Sequence, residues 1–506
     1  MTSPTSGERA VSAENYRHRL WLFAYLIAIL PLSGFWLYGL MDIDEGLYAS
    51  VIRTMLATGD WMIPRIEGEV WMEKPVLVYW LNAPFIALLG DTFGPRLGSV
   101  LCSIGTLVLC AEYVAKRFSD AAGRWTLVVL GTSLLFVAVS RMLLADPPLT
   151  LLMAGAFLSF WESLIGNRRW RLVTAVCLGL GVLAKGPYLV AVFAALAGVT
   201  YFREPSLRPS FRGYWPSGAL LFSLVVAAWY FPVYLSQGGA LVGEFILDQN
   251  VGRLMGTDEA HRTDGIQQLL FFPVVILVGA APWSFHLFRA WPRGPRRSAG
   301  GPAILPQEAA FCRYIAHAFL ILLILFTLSS SQLPHYIVPA VPFLAILVGI
   351  RMSLDGPVES SKLRRWGTGA LSVGLLVLVN SLTIFYYHYS GQAEAHRFAE
   401  FVRNRPEPVV NFQLPRRNDL PPADLRVNET SLPSFAFYAR KDVRGVESLL
   451  RPALRSEPLL VFTRAGRITD KVKDQVERQG ARLVRVDVGF PTRFFELHRL
   501  EPEGPR

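Results

Sequence analysis

Residues Leu20 to Ala49 read LWLFAYLIAILPLSGFWLYGLMDIDEGLYA, an apolar run of spanning length that ends abruptly in Asp42, Asp44 and Glu45. Crossing the hydrocarbon core takes about 20 apolar residues, so Leu20 to Leu40 predicts a first membrane span with three carboxylates at its boundary. The polar lead Met1 to Arg19 precedes a run longer than the apolar core of a secretory signal, and no small-residue cleavage site follows. The span is therefore expected to be retained.

Working outward, further apolar runs recur at Trp125 to Ser140, Gly218 to Tyr234, Ile266 to Leu287, His317 to Leu328 and Gly367 to Tyr386, and they stop after about residue 389. With 52% hydrophobic and 18% charged residues and a mean hydropathy of +0.34, the chain is too apolar for an ordinary soluble globule. Its natural solvent is membrane lipid. The four cysteines, Cys102, Cys110, Cys177 and Cys312, fall in or beside apolar segments, which suggests neither a disulfide framework nor a thiolate metal site.

The net charge of +11 is not a nucleic-acid footprint, because the basic residues cluster in short loops between apolar runs. Lys116, Arg117 and Arg124, then Arg168, Arg169 and Arg171, then Arg203, Arg208 and Arg212, then Arg289 to Arg297, and last Arg351 to Arg365 form five such clusters. The positive-inside rule places all five in the cytoplasm. Spans are then expected near 20–40, 95–115, 125–141, 147–165, 172–185, 188–202, 216–236, 266–287, 313–330, 335–351 and 367–388, with Pro75 to Gly90 as a membrane-surface helix. The expected organisation is a cytoplasmic segment 1–19, an all-α polytopic membrane domain 20–388 of about 11–13 helices with an outer loop 41–94, and a small α/β extracytoplasmic domain 389–506. In that last domain Pro458 to Arg464, Leu483 to Val488 and Arg493 to Arg499 read as strands and Ile468 to Arg482 as an amphipathic helix.

In this topology the ionisable residues near the membrane gather on the outer side, where such groups mark functional sites by default. They are Asp44 and Glu45 with Tyr48; Glu73-Lys74-Pro75 followed by Tyr79-Trp80; Arg141 and Asp146 in one short turn; Lys185 before Gly186-Pro187; Arg253 and His261 in the loop Ser236 to Gln268; and Tyr336 in the turn Leu333-Pro334-His335-Tyr336-Ile337-Val338-Pro339. Taken singly, each also reads blandly, as a span terminus, a surface ion pair or a snorkelling lysine. Together on one face they are harder to dismiss.

These elements, in this order from Asp42 to Pro342, resemble the successive motifs of the protein O-mannosyltransferase and lipid A aminoarabinose transferase superfamily, glycosyltransferases of the GT-C fold. The resemblance implies an inverting transferase that takes a sugar from a polyprenyl-phosphate donor at the outer membrane surface, in a bacterial inner membrane, and passes it to lipid A, a protein or another glycan. On the motif matches, Asp44 and Glu73 are the catalytic candidates. Lys74, Lys185, His261 and Tyr336 match groups near the donor phosphate, to which the loop arginine Arg253 is added. Glu45, Tyr48, Arg141 and Asp146 support them. Family members can hold a divalent metal ion near the glutamate and histidine, which makes Glu73 and His261 candidate ligands.

Two departures stand out: Gly46 and Leu47 occupy positions where the aminoarabinose branch carries Thr-Arg, and Gln332 stands where a lysine is usual. Both remove positive charge from the donor region, which leaves the sugar and the acceptor open. The chemistry agrees with the resemblance. A carboxylate must take the acceptor's proton, and the leaving lipid phosphate needs preorganised cations. A lipid or sugar transporter is the alternative, expected to carry inverted repeats or charged, broken helices, of which the sequence gives no sign.

Overall fold

The computed structural model describes residues 6–66, 68–212, 215–238, 265–291, 305–329, 331–414, 432–453, 455 and 457–502. Their helices are α1 (Ser6–Ile29), α2 (Asp44–Thr58), α3 (Leu77–Arg117), α4 (Asp120–Gly131), α5 (Leu134–Ser140), α6 (Asp146–Ile165), α7 (Trp170–Lys185), α8 (Tyr188–Arg203), α9 (Trp215–Gln237), α10 (Gly265–Gly279), α11 (Ser284–Ala290), α12 (Pro306–Leu328), α13 (Val341–Leu354), α14 (Lys362–Tyr389), α15 (Gln392–Arg403), α16 (Pro433–Ala439), α17 (Leu450–Ala453) and α18 (Asp470–Glu477). The strands are β1 (Arg65–Ile66), β2 (Glu69–Val70), β3 (Val409–Phe412), β4 (Val443–Val446), β5 (Leu459–Arg464), β6 (Ala481–Arg485) and β7 (Phe495–Pro502). The chain divides into two compact units, one of Met1–Phe35, Glu73–Leu77 and Gly98–Val379, the other of Trp36–Met72, Val78–Leu97 and Asn380–Arg506.

The first unit is helical. Small residues let its backbones approach: a side chain at Gly131 would meet Ala28 Cα at 2.5 Å, which brings α4 onto α1, and one at Gly349 would meet Thr126 N at 2.6 Å, which brings α13 onto α4. Arginines in or at the ends of helices pair with acids, Arg17 with Asp120, Arg117 with Glu162, and Arg313 with Glu204. Glu162 and Asp146 stand at opposite ends of α6, about 24 Å apart along the axis at 1.5 Å per residue. Large apolar side chains on the outside, such as Leu220, Leu235, Val377 and Phe385, are exposed by half or more, the surface of a protein solvated by lipid. This is an integral membrane protein.

Among the described residues six helices are long and apolar enough to cross a membrane, or eight if two bent pairs each count as one span. The expected all-α membrane domain is present, with fewer full-length apolar spans among the described residues than the 11–13 helices expected. Helices α7 and α8 have 16 residues each, short of full thickness, and α1 begins in the polar Ser6–Arg19 and ends at Ile29 rather than Leu40, because Pro31, Ser33 and Gly34 break it. The bent pairs are α4 with α5, at 66°, and α10 with α11, at 100°. They correct the expectation that no helix is broken. Their breaks meet, Trp283 Nε1 donating to Thr132 Oγ1 at 2.9 Å. Helix α3 is kinked at Gly90 (φ 75°, ψ −170°), so Leu77–Leu89 is a separate helical piece.

The second unit carries a five-stranded sheet in the order β4-β3-β5-β7-β6, with β3 parallel to β4 and β5, and β7 antiparallel to β5 and β6. Side chains alternate across a strand. On β5, Leu460 and Phe462 pack with Phe398, Val402 and Phe435 of α15 and α16, whereas Leu459 and Val461 pack with Ile468, Val476 and Ala453 on the other face. Covered on both faces, β5 reads as an unbroken apolar run. The expected helix Ile468 to Arg482 is shorter: Thr469 caps α18, and Gly480 at φ 76° lets the chain turn into β6. Strands β3 and β4 have four residues each, too few to announce a period.

Candidate functional site

In the second unit the loop leading into α2 is held from several sides. Glu45 is fully buried and takes a two-pronged ion pair from Arg96, Nε to Oε1 at 2.7 Å and Nη2 to Oε2 at 2.6 Å, while Oε2 also accepts the Met41 N–H at 2.8 Å. Arg96 further donates to the carbonyls of Tyr38 and Gly39 at 2.9 and 2.7 Å. Tyr48 is buried edge-on against Tyr79, ring centroids 5.8 Å apart. One helix turn that starts with Asp44 is thus fixed through its neighbours. Asp44 itself is partly exposed and makes no hydrogen bond or ion pair among the described residues, which leaves its carboxylate uncommitted.

Asp42 is held differently. The Ser434 N–H donates to its Oδ1 at 3.0 Å and the Ser434 hydroxyl to its Oδ2, the start of α16 supplying donors to an anion. A hydrogen-bond chain continues behind: Ser434 Oγ lies 2.8 Å from His396 Nε2, and His396 Nδ1 lies 2.6 Å from the Tyr387 hydroxyl. Burial pushes the Asp42 carboxyl up to about 7, with Glu45 adding to the rise and the Ser434 hydrogen bonds opposing it. Burial, helped by Arg96, brings His396 down to about 3, so the imidazole is neutral.

In the first unit Glu73 and Lys74 form an ion pair at 3.2 Å, both largely buried. Arg141 is fully buried at the end of α5, and Asp146 opens α6. Lys185 is the last residue of α7; Gly186, at φ 86°, and Pro187 turn the chain away and leave its ammonium facing Asp146 Oδ1 at 2.6 Å. The same ammonium lies 4.5 Å from the centre of the Tyr336 ring, and His335 Nε2 is 3.9 Å from Asp146 Oδ2. Lys185 and Tyr336, expected at the donor phosphate, and Asp146, expected as a supporting residue, lie together, and His335 joins them. Arg253 and His261 lie outside the described residues.

Sequence reasoning missed Arg96, Ser434 and His396. Arg96 opens an expected span and reads as a terminus residue; Ser434 and His396 stand more than 350 residues from Asp42, with no spacing to connect them. For the metal, no three His, Cys, Asp or Glu side chains among the described residues come together as ligands, and Glu73 is occupied by Lys74. Of the two candidate ligands, His261 lies outside the described residues.

Residues 73–231 match the family described as dolichyl-phosphate-mannose-protein mannosyltransferase. The undecaprenyl phosphate-alpha-4-amino-4-deoxy-L-arabinose arabinosyl transferase of Pseudomonas aeruginosa (strain UCBPP-PA14) is 28% identical over 360 residues, 70% of this chain and 62% of that protein. Its namesake from Edwardsiella ictaluri (strain 93-146) is 28% identical over 372 residues, 70% of this chain and 63% of that protein. The chain therefore spans about three fifths of the length of the curated relatives it matches. In fold it is similar to the crystal structure of ArnT from Cupriavidus metallidurans bound to undecaprenyl phosphate, with a TM-score of 0.73 at 15% identity over 96% of this chain and 98% of that one. By sequence the chain is similar, over part of its length, to the protein mannosyltransferase family and to the undecaprenyl phosphate-aminoarabinose transferases, and its fold is similar to that of the Cupriavidus ArnT.

Proposed function

We propose that the protein is an inverting glycosyltransferase that moves a sugar from a polyprenyl-phosphate donor to a lipid, protein or glycan acceptor at the outer face of a bacterial inner membrane. The observation that carries this reading is the Asp146–Lys185–Tyr336–His335 constellation, at the end of α6 opposite the Arg117–Glu162 pair. A cation fixed by a buried carboxylate, with an aromatic face beside it, suits the growing charge of a departing lipid phosphate. Lys74 belongs to the same role, with Arg253 and His261. Asp44 is the general base: its carboxylate makes no ion pair among the described residues, and it opens a helix whose neighbours are pinned. Glu73 positions the acceptor.

The relatives' names support a lipid-phosphate donor; the losses at Gly46, Leu47 and Gln332 argue that this chain's sugar or acceptor differs from theirs. Transport gains one point from the two broken helices, but the contact where they meet is a neutral Trp283–Thr132 hydrogen bond. Purified protein with labelled donor and a membrane extract tests the reading. A labelled glycosidic product that vanishes in Asp44→Asn supports it; label crossing sealed vesicles with no product formed supports transport instead.

A further inference from the structure

In the second unit three guanidinium groups from three separate segments converge on one carboxylate. Arg53 of α2 bonds to Asp91 Oδ1. Arg440 reaches Asp91 Oδ2 from Nε at 3.3 Å and Nη2 at 3.0 Å, and Arg403 Nη1 lies 3.8 Å from the same oxygen. The cluster carries three positive charges against one negative. We propose that it is an anion site that takes the phosphate of a membrane-lipid headgroup.

Several independent features point to a built site and not a simple tether. Asp91 is 12% exposed beneath its arginines, whereas Arg403 and Arg440 keep 36% and 44% of their side chains open. An incoming anion meets guanidinium edges and not the acid. Arg53 lies over the Phe437 ring at 4.5 Å, and its Nε is buried with no hydrogen-bond partner. Arg440 adopts φ 53° at the end of α16, a left-handed position where Gly or Asn is the usual residue; an arginine held there is kept for its side chain.

The surroundings select a lipid over a free ion. Asp91 follows Gly90 at the kink of α3, and the residues around it are apolar and open: Leu88 is 80% exposed, Leu89 51%, Leu37 55% and Phe93 43%, with Trp36 stacked on Phe93 at 5.3 Å. Tryptophan beside exposed leucines marks the depth where headgroups begin. Arginine forks suit phosphate at that depth.

The test uses the full chain in detergent, titrated with short-chain phosphatidic acid, with diacylglycerol of the same tails, and with inorganic phosphate. Phosphatidic acid is expected to bind at least about tenfold more tightly than either control, to lose about tenfold in Arg440→Gln and about threefold in Arg403→Gln, and to gain in Asp91→Asn, which frees the cations. Equal binding of diacylglycerol removes the phosphate from the site. Equal binding of inorganic phosphate makes it a free-ion site and overturns the lipid assignment. Variants that change thermal stability but not phosphatidic acid affinity reduce the cluster to an ion-pair latch. Should Asp91→Asn not fold, Arg403→Gln, whose contact is the longest, decides alone.

Discussion

The ion pair of Glu45 with Arg96 offers a prediction with a magnitude attached. Its side chains are 0% and 2% exposed, and Arg96 also satisfies the carbonyls of Tyr38 and Gly39. Arg96→Met keeps most of the volume but strands a carboxylate in the interior, a change that costs about 3–5 kcal/mol when a buried pair loses one partner. Neutralising the acid as well relieves much of that cost, so Arg96→Met in a Glu45→Gln background should be far milder than in the parent. Denaturant unfolding of the detergent-solubilised protein, run as a double-mutant cycle, reads the coupling directly. We expect more than about 1.5 kcal/mol between the two sites; additivity to within about 0.5 kcal/mol would refute the argument that this pair anchors the Asp44 loop.

Other consequences follow from neighbouring groups. Asp42 keeps its proton to about 7 in the folded protein, above the ordinary carboxylate range. Its contribution to stability is complete below about pH 4 and is lost as the pH rises through 7. His396, brought down to about 3, contributes the opposite slope as the pH falls below its ordinary value. The parent-minus-Asp42→Asn difference in stability, measured from pH 4 to 8, isolates the first slope and should flatten above pH 7. Gly46→Ala would place a methyl 2.0 Å from Asp42 Oδ1 and 2.6 Å from Ser434 N; a loss of about 1–3 kcal/mol is expected in the same unfolding assay, and an unchanged midpoint would count against the packing described. Lys185→Gln removes the cation between Asp146 and Tyr336, and a fall in kcat of about 10²–10³ is expected with donor at saturation. Tyr336→Phe, which keeps the ring over Lys185, should cost less if the ring is what matters.

Much of this was legible because charged groups are conspicuous in an apolar chain. Asp146, Lys185 and Tyr336 sit at helix ends marked by Pro147, Gly186-Pro187 and Pro334, and those turns are what bring them together. Helix boundaries were harder to read, because hydropathy does not reveal where a proline or glycine breaks an apolar run: Leu20 to Leu40 reads as one span and is a helix to Ile29 followed by a turn. The Thr132-Ser133 break hid in the same way. The grip on the Asp44 loop was invisible for another reason. Ser434, His396 and Tyr438, whose hydroxyl accepts the Leu40 N–H at 3.0 Å, meet residues 40–46 only through tertiary folding, and β3 and β4 are too short to signal the sheet that carries them.

The most direct test of the account is the consumption of polyprenyl-phosphate sugars by the purified full-length protein, one donor at a time, beside Asp44→Asn and in the presence of acceptor-bearing membrane extract. The parent is expected to release polyprenyl phosphate from one donor with inversion at the transferred carbon, and Asp44→Asn to bind that donor normally but release nothing. Release by Asp44→Asn at the parent's rate, or no release from any donor by the parent, would contradict the account.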